Sequence, residues 1–398
     1  MFSSLKVRNF RIYWFGMLVS LIGTWIQQVA QSWLVFQLTN SAFLLGFVGF
    51  LSSIPVLIFS LFAGVLADRV EKRKILIATQ IAFMSLAFLL AVLTQLKIIT
   101  PLEIMVIASL NGLIMAFDAP SRQAMVVELV GKAHLPNAIA LNSVAFNSSR
   151  IIGPALAGVL VAVIGMSGCF YLNGISFFAV IAALLLIRVN TSEKEHVHSS
   201  ALKDLKEGLV FVKENKVILS LISMVGVVSL FGIAYIILMP VFANDILGVG
   251  VRGLATLMSA SGLGALAGAL ILARLGDFKN KGIFLITSAL VFSVSLILFG
   301  LSRSYLFSII ALVFVGATSV TSVALVNTIL QTNVPDKFRG RVMSVFMITF
   351  AGIMPFGNLL AGILAQSFGV SVAVLTGGII CTVFFALIMF LYPRVSEI

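Results

Sequence analysis

Arg150 is the residue whose type is least expected where it stands. The run around it, NSSRIIGPALAG from Asn147 to Gly158, is otherwise small, apolar or neutral. Arg150 lies about 13 residues into a helical stretch beginning near Asn137, a depth of about 20 Å at 1.5 Å per residue, near the middle of a ~30 Å apolar layer. A charge there costs at least about 2.5 kcal/mol and must face inward with a partner. Its planar donor fork suits an anionic or oxygen-rich ligand. Alternatively, helix carbonyls and the amides of Asn142, Asn147 or Gln27 satisfy it. Gln27 and Gln31, four apart, share one helical face, which reads as facing either a wet cavity or a partner helix. The expected ligand contacts are Arg150, Gln27, Gln31, Asn142 and Tyr235, the last standing 204 positions beyond Gln31.

Asp118 is the carboxylate well inside an apolar run, and Arg122 follows it by four, the spacing of an ion pair on one helix face. With His134, His196 and His198 all in polar connections, Asp118 is also the expected proton carrier within the apolar layer. Asn111, Asn327 and Asn358 read as hydrogen bonds between helices. No nucleophile and base pair, phosphate loop or metal-ligand spacing is present in a plausible setting, so neither an enzyme nor a cofactor is expected. GLGALAG, Gly262 to Gly268, lies inside an apolar run with no strand before it, which removes the dinucleotide reading. Cys169 and Cys381 sit in separate apolar runs and imply neither a disulfide nor a metal.

The elements that must position these residues are membrane helices. The chain of 398 residues is 60% hydrophobic and 10% charged, with a mean hydropathy of +1.16, far outside soluble composition. Twelve apolar runs are each long enough to span, which takes about 20 residues. The first begins near Arg11 and reads as a retained helix rather than a cleaved signal. The net charge of +12 is distributed by side. With the N-terminus in the cytosol, Lys97, Arg252 and Arg303 are the basic residues on the far face, Arg150 lies inside a run, and the others fall in cytosolic connections. That is positive-inside topology with both termini cytosolic. No basic and aromatic soluble face exists for nucleic acid.

Asn190 to Lys216 is the long polar stretch, and Leu202, Leu205, Leu209 and Val212 within it recur at three and four, predicting an amphipathic helix on the membrane surface. A shift of 204 positions, 268 minus 64, carries Gly49 onto Gly253, Gly112 onto Gly316, and Gly153, Leu156-Ala157-Gly158 and Gly165 onto Gly357, Leu360-Ala361-Gly362 and Gly369. One offset over several helix pairs marks two parallel repeats. The predicted fold class is an all-α membrane protein of twelve transmembrane helices in two six-helix repeats. Its predicted domains are a bundle at 1–188, a linker at 189–216 and a bundle at 217–398. Gly153, Pro154 and Gly158 are the expected gate, because small residues let helices approach and proline favours a kink.

GVLADRVEKRK, Gly64 to Lys74, resembles the signature loop between the second and third helices of the major facilitator superfamily, G-x-x-x-D-R-x-G-R-R, with Glu71 in place of the second glycine. GPALAG resembles the fifth-helix signature of exporters in that superfamily. FNSSRIIGPALAG, DAPSRQA and NVPDKFRGRVMSV together resemble the branch of enterobactin exporters and macrolide-efflux proteins. The resemblance implies a bacterial inner-membrane exporter of a siderophore-like anion or a drug, working by alternating access with proton antiport, as a monomer among membrane lipids. It implies a conformational switch of Gly64, Asp68, Arg69, Arg73, Asp118 and Arg122, with Asp68 facing a helix N-terminus and Asp118 linking to Arg73. The basic residues of the loop read first as a solvated connection, since positive charge collects on this side. Ala108 stands where the family often has an arginine on the fourth helix. The alternatives are a lysophospholipid flippase and a non-transporting receptor or scaffold.

Overall fold

The structure is a computed structural model that describes residues 3–187, 201–276 and 278–395, without the side chains of Leu61, Val65, Ala67, Asp68, Arg69, Lys132 and Ala201 to Asp204. The first part of the expected linker, 189–200, therefore lies outside the described residues. The described chain is helical nearly throughout. Its spans are Arg8–Thr39, Ala42–Arg69 and Lys72–Gln95, then a helical run Pro101–Leu186. That last run is broken at two glycines of left-handed φ, Gly131 (65°) and Gly165 (71°), conformations that favour glycine. They divide it into a fourth, fifth and sixth span at 101–130, 132–164 and 166–186. The stretch Ala133–Leu186 counts as one apolar segment of 54 residues, about 80 Å of helix, and so crosses a ~30 Å layer twice.

The second half runs through Lys216–Ile246, Gly250–Leu275, Lys281–Leu301, Tyr305–Asn333, Asp336–Phe368 and Val370–Leu391, the seventh to twelfth spans. Asn215 opens the seventh by accepting from the backbone N–H groups of Val217 (3.1 Å) and Ile218 (3.2 Å). That span is not uniform. It passes through two π-helical turns, Val228–Gly232 and Phe242–Ile246, features that recur at functional sites.

Large apolar side chains point outward, among them Phe62, Val163, Leu186 and Phe390, while Ser20, Gln80, Asp118, Ser121 and Asn173 are buried. This inverts the soluble pattern, because hydrocarbon solvates Phe and Leu but not a hydroxyl or a carboxylate.

The chain divides into two compact units. One comprises Met1–Asn40, Leu51–His196 and Val251–Ser259; the other comprises Ser41–Phe50, Val197–Gly250 and Ala260–Ile398. In the second unit the amphipathic helix is present as Ala201–Glu214. It turns Gly208 and Val212 inward and Lys206 and Lys213 outward, stacks Phe211 on Phe338 at 4.4 Å, and pairs Glu207 with Arg341 at 2.7 Å. Its inner face thus rests on the start of the eleventh span. Leu209, expected on the apolar face, is exposed.

Candidate functional site

The polar interior of the first unit is built around Asp118, which is 1% exposed. Its Oδ2 accepts from Arg122 Nε (3.0 Å) and Nη2 (2.7 Å), one helical turn away. Its Oδ1 accepts from Thr79 Oγ1 (2.9 Å) and Gln80 Nε2 (2.6 Å) on the third span. A buried carboxylate with an arginine and two neutral donors is balanced in charge and saturated in hydrogen bonds. A proton arriving there must displace one of these four.

Arg73 is elsewhere. It donates through Nε to the Leu184 carbonyl (2.6 Å) and through Nη2 to the Leu185 carbonyl (2.9 Å), so it caps the sixth span. A cation suits that position because the last carbonyls of a helix carry its negative dipole end. The expected link from Arg73 to Asp118 is thus not the one formed. The signature loop reaches the fourth span through Lys72, whose ammonium meets Glu128 at 3.2 Å with both side chains largely buried. The side chains of Asp68 and Arg69 lie outside the described residues. Gly64 lies inside the second span, and a methyl group added there would meet nothing within 4 Å among the described residues.

The fifth span carries the gate residues, and two of them make close approaches. A methyl group on Gly153 would collide with Trp25 of the first span, and one on Gly158 would come within 2.8 Å of Ala255 Cβ. Ser259 also donates to the Ile151 carbonyl (3.1 Å). Pro154, between them, is buried. Within the second unit Gly46 packs on Gly362, where an added methyl would meet the Gly362 Cα at 2.7 Å. The repeat shift carries Gly158 onto Gly362, so equivalent positions use glycine for equivalent approaches.

The expected ligand contacts fall into separate groups. Gln27 is turned into the bundle, where Asn173 donates to its Oε1 at 2.7 Å and its own Nε2 reaches Gln31 Oε1 at 3.4 Å. Ser176 continues that chain by donating to Asn173 Oδ1 at 3.1 Å. Of the two amides, Gln31 is the less buried. Arg150 is half-buried and engaged by its surroundings. Asn142 keeps a buried Oδ1 without a hydrogen-bond partner among the described residues. Tyr235, 4% exposed, sits just beyond the first π turn, exchanges a hydrogen bond with Ser261 (3.0 Å) and packs edge-on against Phe299. Sequence reading missed Asn173, Thr79, Gln80, Lys72 and Glu128 as participants. Asn173 and Gln80 carried a signal, being amides inside apolar runs; Thr79 carried none, because threonine is common in membrane helices.

Residues 1–398, the whole chain, match the family model described as transmembrane secretion effector. The chain belongs to this family of the major facilitator superfamily. Among its relatives, the staphyloferrin A transporter of Staphylococcus aureus is 27% identical over 350 residues, covering 88% of this chain and 87% of that protein. Macrolide efflux protein A of Streptococcus pyogenes is 25% identical over 399 residues, covering 98% and 96%. The fold matches the crystal structure of a D-xylose-proton symporter with a TM-score of 0.76 at 13% identity, over 97% of this chain and 99% of that one.

As a major facilitator protein, the chain is a membrane transporter and not an enzyme. Its departure from the superfamily loop has a local explanation. Glu71 is the N-cap of the third span, with φ −58°, a backbone setting that needs no glycine. Its carboxylate pairs with Lys74 at 3.2 Å.

Proposed function

We propose that this transporter exports a small organic molecule, either a siderophore-like anion or a drug, across a bacterial inner membrane by alternating access coupled to proton antiport. The observation that carries the reading is the close approach at Gly158 and Gly153 on the fifth span. Those glycines belong to the segment that resembles the exporter signature, and they are packed as a sliding contact requires. The relatives named for staphyloferrin A transport and macrolide efflux support the substrate class.

In this reading the bundles at 1–188 and 217–398 move against each other about the linker, with both termini in the cytosol, as a monomer in lipid. Arg150, Gln31, Asn142 and Tyr235 contact substrate, and Gln27 positions Gln31. Asp118, Arg122 and Arg73 hold the cytosolic side of the first bundle in one arrangement, and Gly64, Asp68 and Arg69 complete the switch. Glycine at Gly64 then serves a conformation other than the one described, since no close neighbour among the described residues demands it here.

Efflux from proteoliposomes, loaded in parallel with staphyloferrin A, a macrolide and a cationic dye, tests this with and without an imposed pH gradient. Gradient-driven efflux of the anion, reduced at least tenfold in Arg150→Gln, is the expected result. Efflux of the dye alone, indifferent to that substitution, would make Arg150 structural. Absence of any efflux, with lysophospholipid moved between leaflets instead, would overturn export.

A further inference from the structure

Inside the first unit three buried polar atoms lie around the Asp118–Arg122 pair with no hydrogen-bond partner among the described residues: the Tyr13 hydroxyl, Gln80 Oε1 and the Ser121 hydroxyl. Their side chains are at most 1% exposed. A dry, unpaired polar atom is destabilising, and native proteins keep few. These three share one neighbourhood. Gln80 grips Asp118 Oδ1 with its amide nitrogen at 2.6 Å, which leaves its oxygen beside the pair. Ser121 lies one turn along from Asp118 and next to Arg122 in the chain. The charges of Asp118 and Arg122 both act on the Tyr13 hydroxyl. The first, third and fourth spans thus each contribute one unsatisfied atom to one charged centre.

Two hydroxyls and an amide oxygen supply two donors and three acceptors. That set matches a buried water, which needs two to four polar partners. It does not match an organic substrate, because the surrounding side chains, Met125, Val126, Leu129 and Leu76, are close-packed core. Nor does it match a metal cation, because Arg122 already holds the carboxylate.

We infer that Tyr13, Gln80 and Ser121 hold ordered water against the Asp118–Arg122 pair, and that this hydrated centre is where the transporter binds its proton. The hydration stands by itself; the proton's part in transport rests on the antiport reading above. A hydronium relayed by the water and the two hydroxyls gives one proton to a carboxylate oxygen of Asp118 and leaves water behind. The carboxylate becomes a neutral carboxyl, and at that oxygen Arg122 loses its anionic acceptor. Deprotonation reverses both changes. Among the described residues, the titratable or charged groups in this layer are Tyr13 on the first span and Asp118 and Arg122 on the fourth, with none on the third. Lys72 and Glu128 neutralise each other at 3.2 Å nearer the ends of their helices. The consequence for the cycle is that proton release restores the Arg122 hydrogen bonds and with them the rigid packing of the first, third and fourth spans.

Two single-atom deletions separate a wet centre from a dry one. Tyr13→Phe and Ser121→Ala each remove a hydroxyl that makes no hydrogen bond among the described residues. If the atoms are dry, each substitution leaves the melting temperature of the purified protein unchanged or raises it, and the inference is overturned. If they bind water, each lowers it by about 2 °C or more. The proton is read separately, by infrared difference spectra between high and low pH on the same samples without any substrate. A carboxylic C=O band appearing on acidification, absent in Asp118→Asn and shifted in Tyr13→Phe, supports the proton site. No such band overturns it, whatever transport shows. If the band is present but wild-type efflux ignores a pH gradient, the antiport reading fails while the proton site stands.

Discussion

At the residue scale, the polar side chains of the first unit differ widely in what their loss should do. Asp118 accepts four hydrogen bonds and is 1% exposed, so truncation deprives Arg122 of its carboxylate; removing one partner of a buried pair costs about 3–5 kcal/mol. Thr79 contributes one of the four bonds, and interhelical hydrogen bonds in membranes average about 0.6 kcal/mol. Asp118→Ala is therefore expected to destabilise the protein several times more than Thr79→Val, with Asn173→Leu near the smaller value because Gln27 keeps Gln31 as a neighbour. Thermal unfolding in detergent orders the three. Equal losses would mean that Asp118 is not the centre of the network.

At the element scale, two glycines from motifs of similar appearance have opposite surroundings. Gly153 is closed in by Trp25 and the Ile22 carbonyl, while Gly64 has no neighbour within 4 Å of an added methyl among the described residues. Gly153→Val should reduce efflux at least tenfold, because overpacking a close helix contact displaces whole backbones. Gly64→Ala should leave folding and melting temperature unchanged, and any loss of efflux would then belong to a different conformation of the second span. The linker helix makes a parallel case. Phe211 and Glu207 fasten it to Phe338 and Arg341, so Phe211→Ala should raise protease cleavage between 201 and 214 in the folded protein. Unchanged cleavage would show that the stacking does not hold the helix down.

At the scale of the whole molecule, charge and repetition organise the chain. Outside the spans, the basic residues other than Lys97, Arg252 and Arg303 collect at the termini and in the connections assigned to one side, and the 204-residue shift reproduces glycine contacts within each unit. The orientation proposed from that charge bias predicts that a fluorescent protein fused after Ile398 folds and fluoresces in the cytosol, whereas an alkaline phosphatase fused there is inactive. The reverse result would invert every assignment of side made for Arg73, Lys72 and the linker helix.

What the sequence determined by itself is what depends on local chemistry. Spans follow from the length of apolar runs, the proposed orientation from the sidedness of Lys and Arg, the repeat from one offset, and the family from short motifs. Asp118, Arg122, Gln27 and Arg150 stood out because a polar group in hydrocarbon needs a partner wherever the chain takes it. The identity of that partner is what only the tertiary structure decided. Arg73 went to the carbonyls of Leu184 and Leu185 rather than to Asp118, Gln27 went to Asn173, and the signature loop met the fourth span through Lys72 and Glu128. Each choice depends on helix rotation and relative depth to within about one turn, or 5.4 Å. Hydrophobic periodicity cannot supply that precision in spans that are apolar nearly all round, so the side chain that comes within 3 Å is known only once the helices are packed.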